Sequence, residues 1–140
     1  MNNSFRYFTT PIYYANGKPH AGHIYATILG RILKLHYQTR DEQVKFLTGL
    51  DEHGEAVEEE AKKQNKSPQE LVDELAAEWR KKFDFIGINY NIFMRTTSEE
   101  HVKNVQDILT YCHAKGDIYF GEHEGHYCVK CESFLNSTER

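Results

Sequence analysis

Two imidazoles three residues apart flank a glycine in His20-Ala21-Gly22-His23. Helical positions three apart share a face, and at a helix start they stand beside backbone N–H groups that lack an intrahelical acceptor. Such a place attracts anions. Gly22 removes a side chain that would keep a nucleotide off the helix backbone, and imidazole N–H donors can follow negative charge as it builds on a phosphate. The same pair could instead face solvent or bind a metal, and spacing alone leaves these readings open. A second group, Asp51-Glu52-His53-Gly54, follows a β-favouring run. Asp51 could take a charge-assisted hydrogen bond from a substrate ammonium group, or it could cap the acidic helix that follows. A third group, Cys128-Val129-Lys130-Cys131, has the CxxC spacing that suits metal or redox chemistry.

The elements that must position these groups follow from patterning. Phe5–Thr10 is aromatic and β-favouring, and Pro11 removes a backbone donor and stops the ladder. Asn16-Gly17 and Lys18-Pro19 mark a loop, after which Ile24, Ile28, Leu29, Ile32 and Leu35 recur at helical spacing from about His20. Val44–Leu50 reads as a second strand, and strand, helix and strand within this length suit a βαβ crossover with a parallel sheet. Ligands of such sheets bind at the carboxyl ends of the strands, which puts Asp51 near the loop after the first strand.

Farther on, Glu58 with Lys62 and Glu59 with Lys63 make helical i,i+4 pairs. Ser67-Pro68-Gln69-Glu70 combines an N-cap, a first-turn proline and a capping-box glutamate, so a helix starts at Pro68 with Leu71, Leu75, Trp79 and Phe83 as its core stripe. Another helix is predicted from near Ser98, burying Val102, Val105, Ile108, Leu109 and Cys112 and ending before Gly116 in a left-handed cap. Ile118–Gly121 and His126–Val129, separated by a polar turn at Glu122–Gly125, read as a hairpin leading into the cysteine pair.

Composition narrows the function classes. With 140 residues, 39% of them hydrophobic and 27% charged, the chain can fold one ordinary domain and has no disordered or collagen-like bias. A net charge of -4 is the wrong sign for holding nucleic acid by phosphate neutralisation alone. No apolar run is long enough for a membrane span, and the amino terminus lacks a secretory layout. Three cysteines without an export signal argue against a disulfide framework, so the expected compartment is cytoplasmic.

Together these residues carry a resemblance. Tyr7–His23, with its His-x-Gly-His signature, resembles the start of a bacterial-type methionyl-tRNA synthetase of class I. Thr48-Gly49-Leu50-Asp51-Glu52-His53-Gly54 resembles that family's second segment, and Tyr127–Glu132 resembles the opening of its connective insertion. The implied fold is α/β: residues 1–115 as the first half of a Rossmann-like parallel sheet, and 116–140 as the start of a β-rich insertion. The implied activity is ATP-dependent activation of methionine to methionyl-adenylate, then transfer to methionine tRNA.

The resemblance assigns roles by position. His20, Gly22 and His23 would bind the ATP phosphates and stabilise in-line attack by the methionine carboxylate. Pro11, Ile12 and Tyr14 would line an apolar pocket suited to a thioether, Asp51 would hold the α-ammonium group, and magnesium would accompany ATP. Cys128 and Cys131 resemble half of a structural zinc site that needs four ligands. The family takes its second pair from farther along, so His123 and His126 are read as hairpin side chains. The family's KMSKS loop is absent from these residues, and the stretch alone is expected to aminoacylate little or not at all. Two other readings remain: a different HxGH nucleotidyltransferase, and a noncatalytic zinc-knuckle module that binds RNA or protein.

Overall fold

Aromatic and β-branched residues open the chain as strand β1 (Phe5–Thr9), and Pro11 interrupts it before a two-residue strand, β2 (Tyr13–Tyr14). The computed structural model describes residues 5–128 and 133–135. Both strands pair in parallel with β3 (Gln43–Asp51): Phe8 stands opposite Phe46, and Tyr14 opposite Asp51. Strand β4 (Ile92–Arg95) runs parallel along the other edge of β3, with Leu47 opposite Ile92 and Leu50 opposite Arg95. β1 and β2 are therefore one broken edge, and β3 is the central strand. The parallel βαβ reading holds. The region expected to be only loop also contains β2, which becomes a strand because Leu50 and Asp51 offer it a backbone ladder.

Helix α1 (Ala21–Gln38) forms the crossover between β1 and β3, and α2 (Glu55–Lys63) and α3 (Pro68–Phe85) precede β4. Alternation along β3 puts Phe46, Thr48 and Leu50 on one face, all fully buried. Gly30 lets α1 approach that face, because a Cβ there would lie 2.5 Å from the Phe46 ring. α3 supplies Leu71, Val72, Leu75, Ala76, Trp79 and Phe83 to the same core. Its start is as predicted: Ser67 Oγ accepts from the Glu70 amide, and the Glu70 carboxylate accepts from the Ser67 amide at 2.8 Å. The Glu58–Lys62 pair is present at 3.9 Å, whereas Lys63 lies 3.5 Å from Glu60 instead of pairing with Glu59.

The stripe expected of α1 is only partly buried. Ile24 and Ile28 pack against the core, but Leu29, Ile32 and Leu35 are exposed, and Thr27, Gly30 and Lys34 take the buried face. Close approach to the Phe46 ring selects the small residues, and Lys34 reaches the Asn89 carbonyl at 2.7 Å, which satisfies its ammonium group.

The chain forms two compact units, Met1–Ser98 and Glu99–Arg140. The second begins with α4 (Glu99–Ala114), which ends before Gly116 at φ +82°, as the left-handed cap requires. No residue of α4 is buried: Val102, Val105, Ile108 and Leu109 are exposed and Cys112 is half-buried, which corrects the expected core stripe. The hairpin is also relocated. Residues 118–126 carry no strand; β5 (Tyr127–Cys128) pairs antiparallel with β6 (Ser133–Phe134), so the ladder begins beside the first cysteine and does not precede it.

Candidate active site

His20 caps α1 from an extended conformation, and the two imidazoles build the first turn themselves. The Gly22 amide donates to His20 Nδ1 at 3.1 Å, and the His20 amide donates to His23 Nδ1 at 3.3 Å. This reciprocal cap needs no side chain at position 22, since a Cβ there would lie 3.1 Å from the His20 ring. The Gly22 amide thus donates to the His20 ring in this structure.

With both Nδ1 atoms accepting, each ring, when neutral, carries its proton on Nε2. The rings stack with centroids 3.7 Å apart. Burial, and then the neighbouring His20, holds the His23 imidazole below its ordinary value of 6.5, which favours the neutral donor form.

Behind His23 stands an aromatic wall that patterning did not reveal. Tyr13 and Trp79 lie 4.8 and 4.9 Å from the His23 ring and 5.3 Å from each other. Thr27 Oγ1 donates to the His23 carbonyl at 2.8 Å and accepts from the Tyr13 hydroxyl at 2.9 Å. The Trp79 indole N–H donates to the Gly17 carbonyl at 2.9 Å, which ties α3 to the loop before the histidines. Trp79 was expected to be core, and it is fully buried, but it also anchors the site loop. Only Thr27, one helical turn from His23 on the same face, left a trace of this arrangement in the sequence.

Ile12, Tyr13, Tyr14, Asn16, Gly17, Lys18, His20 and His23 surround a cleft of about 470 Å³. Of the predicted residues, Ile12, Tyr14, His20 and His23 therefore meet there. Pro11 is exposed beside it and Gly22 lies in the first helical turn, neither forming part of its wall. Asp51 ends β3 opposite Tyr14, also outside the wall, and its carbonyl accepts from the Ala15 amide at 2.8 Å. The helix-cap alternative for Asp51 fails, because α2 is capped by Gly54 at φ 116° with no side-chain bond. Lys18 Nζ lies 3.0 Å from Glu78 Oε1, so the cleft's one lysine is held at its rim.

Among the described residues no group of three or more His, Cys, Asp or Glu is arranged to hold a metal. Cys128 stands in β5 opposite Ser133, and Cys131 lies outside the described residues. The His123 ring packs edge-on against Phe134 at 4.5 Å.

A strand end, a histidine-capped helix and an aromatic floor come together around His23. The family described as "tRNA synthetases class I (M)" matches residues 6–139. The chain belongs to that family.

The methionine–tRNA ligase of Campylobacter jejuni is 45% identical over 134 residues, covering 96% of this chain and 21% of that protein. That of Thermotoga maritima is 43% identical over 133 residues, covering 95% and 21%. A solved structure of Mycobacterium tuberculosis methionyl-tRNA synthetase in complex with methionyl-adenylate has a TM-score of 0.90 at 30% identity and covers 97% of this chain and 27% of that one. The chain thus spans about a fifth of the length of the curated relatives it matches. These likenesses support the α/β, Rossmann-like parallel fold of the class I synthetase family. No helix among the described residues is long and apolar enough to cross a membrane.

Proposed function

We propose that the whole protein is a methionine–tRNA ligase that condenses methionine with ATP to methionyl-adenylate and pyrophosphate, then passes the methionyl group to methionine tRNA in the cytoplasm. The observation that carries this reading is the pair of Nε2–H donors, each fixed by an occupied Nδ1, at one wall of the strand-end cleft. As the methionine carboxylate attacks the α-phosphorus, charge grows on the phosphoryl oxygens. Donors already oriented lower that barrier without reorganising. Tyr14 and Ile12 supply apolar wall for the thioether, Pro11 shapes the turn beside them, and Asp51 takes the α-ammonium group.

Magnesium would come with ATP, bound chiefly through the phosphates. Zinc on Cys128 and Cys131 requires two further ligands, and no step depends on it. In this reading residues 1–115 belong to the nucleotide-binding half and 116–140 open the insertion. These residues hold no KMSKS segment, so on their own they should exchange little pyrophosphate.

Methionine-dependent exchange of pyrophosphate into ATP by the whole protein tests the assignment, and its absence would refute it. In that enzyme His23→Asn should slow adenylate formation by about 10²-fold with methionine affinity nearly unchanged. An equal rate in mutant and parent removes His23 from the chemistry.

A further inference from the structure

Immediately after Asp51, the chain buries a charge. The Glu52 side chain is fully buried, and its carboxylate accepts from Arg95 Nε at 2.7 Å and from Thr97 Oγ1 at 2.5 Å. The Glu52 amide donates to Thr96 Oγ1 at 2.8 Å, and the Thr96 amide donates to the Leu50 carbonyl at 3.4 Å. Arg95 extends the network to α3, where its Nη2 meets Asp73 Oδ1 at 2.6 Å. Four consecutive bonds therefore tie residues 50–52 to the segment that leaves β4.

An apolar residue at position 52 would give comparable or greater stability, since desolvating an ion pair offsets most of its attraction. What the network adds is direction. Successive side chains of an extended segment leave on opposite sides, so a fixed Glu52 determines how Asp51 departs from the strand. On the other edge Asp51 is already held by the Ala15 amide, which leaves the Arg95–Thr97 side as the remaining degree of freedom.

We propose that Glu52, Arg95 and Thr97 are positioning residues for the amino acid, a latch that sets the Asp51 carboxylate for the substrate ammonium group. The proposal rests on the role given to Asp51 above. Its chemistry concerns methionine only, because the network includes neither His20 nor His23.

Thr97→Ala in the whole enzyme removes one bond to Glu52 and keeps the ion pair, so the fold survives. Its KM for methionine should rise about fivefold, because the lost bond loosens Asp51 without removing its own contact to the ammonium group, with KM for ATP unchanged. The backbone amide of Glu52 should exchange with deuterium faster, and Thr97→Ser should restore both. The latch stands only if methionine KM and amide protection move together; a change in either alone, or a parallel rise in the KM for ATP, overturns it. Asp51→Ala measured alongside separates the two ideas. Weaker methionine binding there with none in Thr97→Ala overturns the latch alone, and unchanged binding in Asp51→Ala overturns the ammonium role and the latch with it.

Discussion

Helices α3 and α4 have nearly equal length, 18 and 16 residues, and both carry apolar side chains at helical spacing, yet one buries six residues and the other none. In α3 the stripe meets Tyr13, Phe93 and the residues of β3. In α4 Ile108 is 63% and Leu109 51% exposed. Periodicity identifies the apolar face of a helix, but only tertiary structure supplies what covers it. The α4 stripe is therefore exposed where the α3 stripe lies in the core.

Substitutions can break this contrast or sharpen it. The largest effect should come from Trp79→Ala, which removes a fully buried indole and its bond to Gly17 and should cost about 3–5 kcal/mol in urea unfolding. A loss below about 1 kcal/mol would mean that α3 is not the main support. Gly30→Ala probes the close approach of α1, where the new methyl group meets the Phe46 ring, and should cost about 1–3 kcal/mol by the same measurement. Ser67→Ala strips the α3 cap and should lower stability by about 1 kcal/mol, with the loss of helicity followed by circular dichroism. Ile108→Ala on α4 should stay within about 0.5 kcal/mol of the parent, and a larger loss would show that α4 is covered after all.

The smallest effect is expected with pH. His23 binds its proton less readily when folded than when unfolded, so its contribution to stability is complete above 6.5 and is lost as pH falls through the depressed value. The urea midpoint should drop between about pH 7.5 and pH 5 by more in the parent than in His23→Asn, and equal slopes would contradict the burial of that ring.

Much of the positioning scaffold was legible because its signals are local. The Ser67–Glu70 box, Pro68, the Gly116 cap and the β-favouring run of β3 each act within a few residues. The histidine pair was legible as a motif, but the mutual cap that fixes its tautomers was not, because it depends on ring orientation. Trp79 came to the site through a contact across 62 residues of sequence, which no window captures, and Tyr13 through ring and hydroxyl contacts that periodicity does not encode. The hairpin was misplaced because short aromatic runs such as Ile118–Phe120 favour strands wherever a partner exists, and the partner of Tyr127–Cys128 is Ser133–Phe134.

Trp79 is the chain's sole tryptophan, and it sits beside His23 at the back of the cleft. The molecule therefore has a built-in lamp: its ultraviolet emission comes from one known address, and a charged imidazole at that distance dims it. Light from this single ring would report on the protonation of the neighbouring histidine and on anything that shifts the two rings apart, with no dye attached.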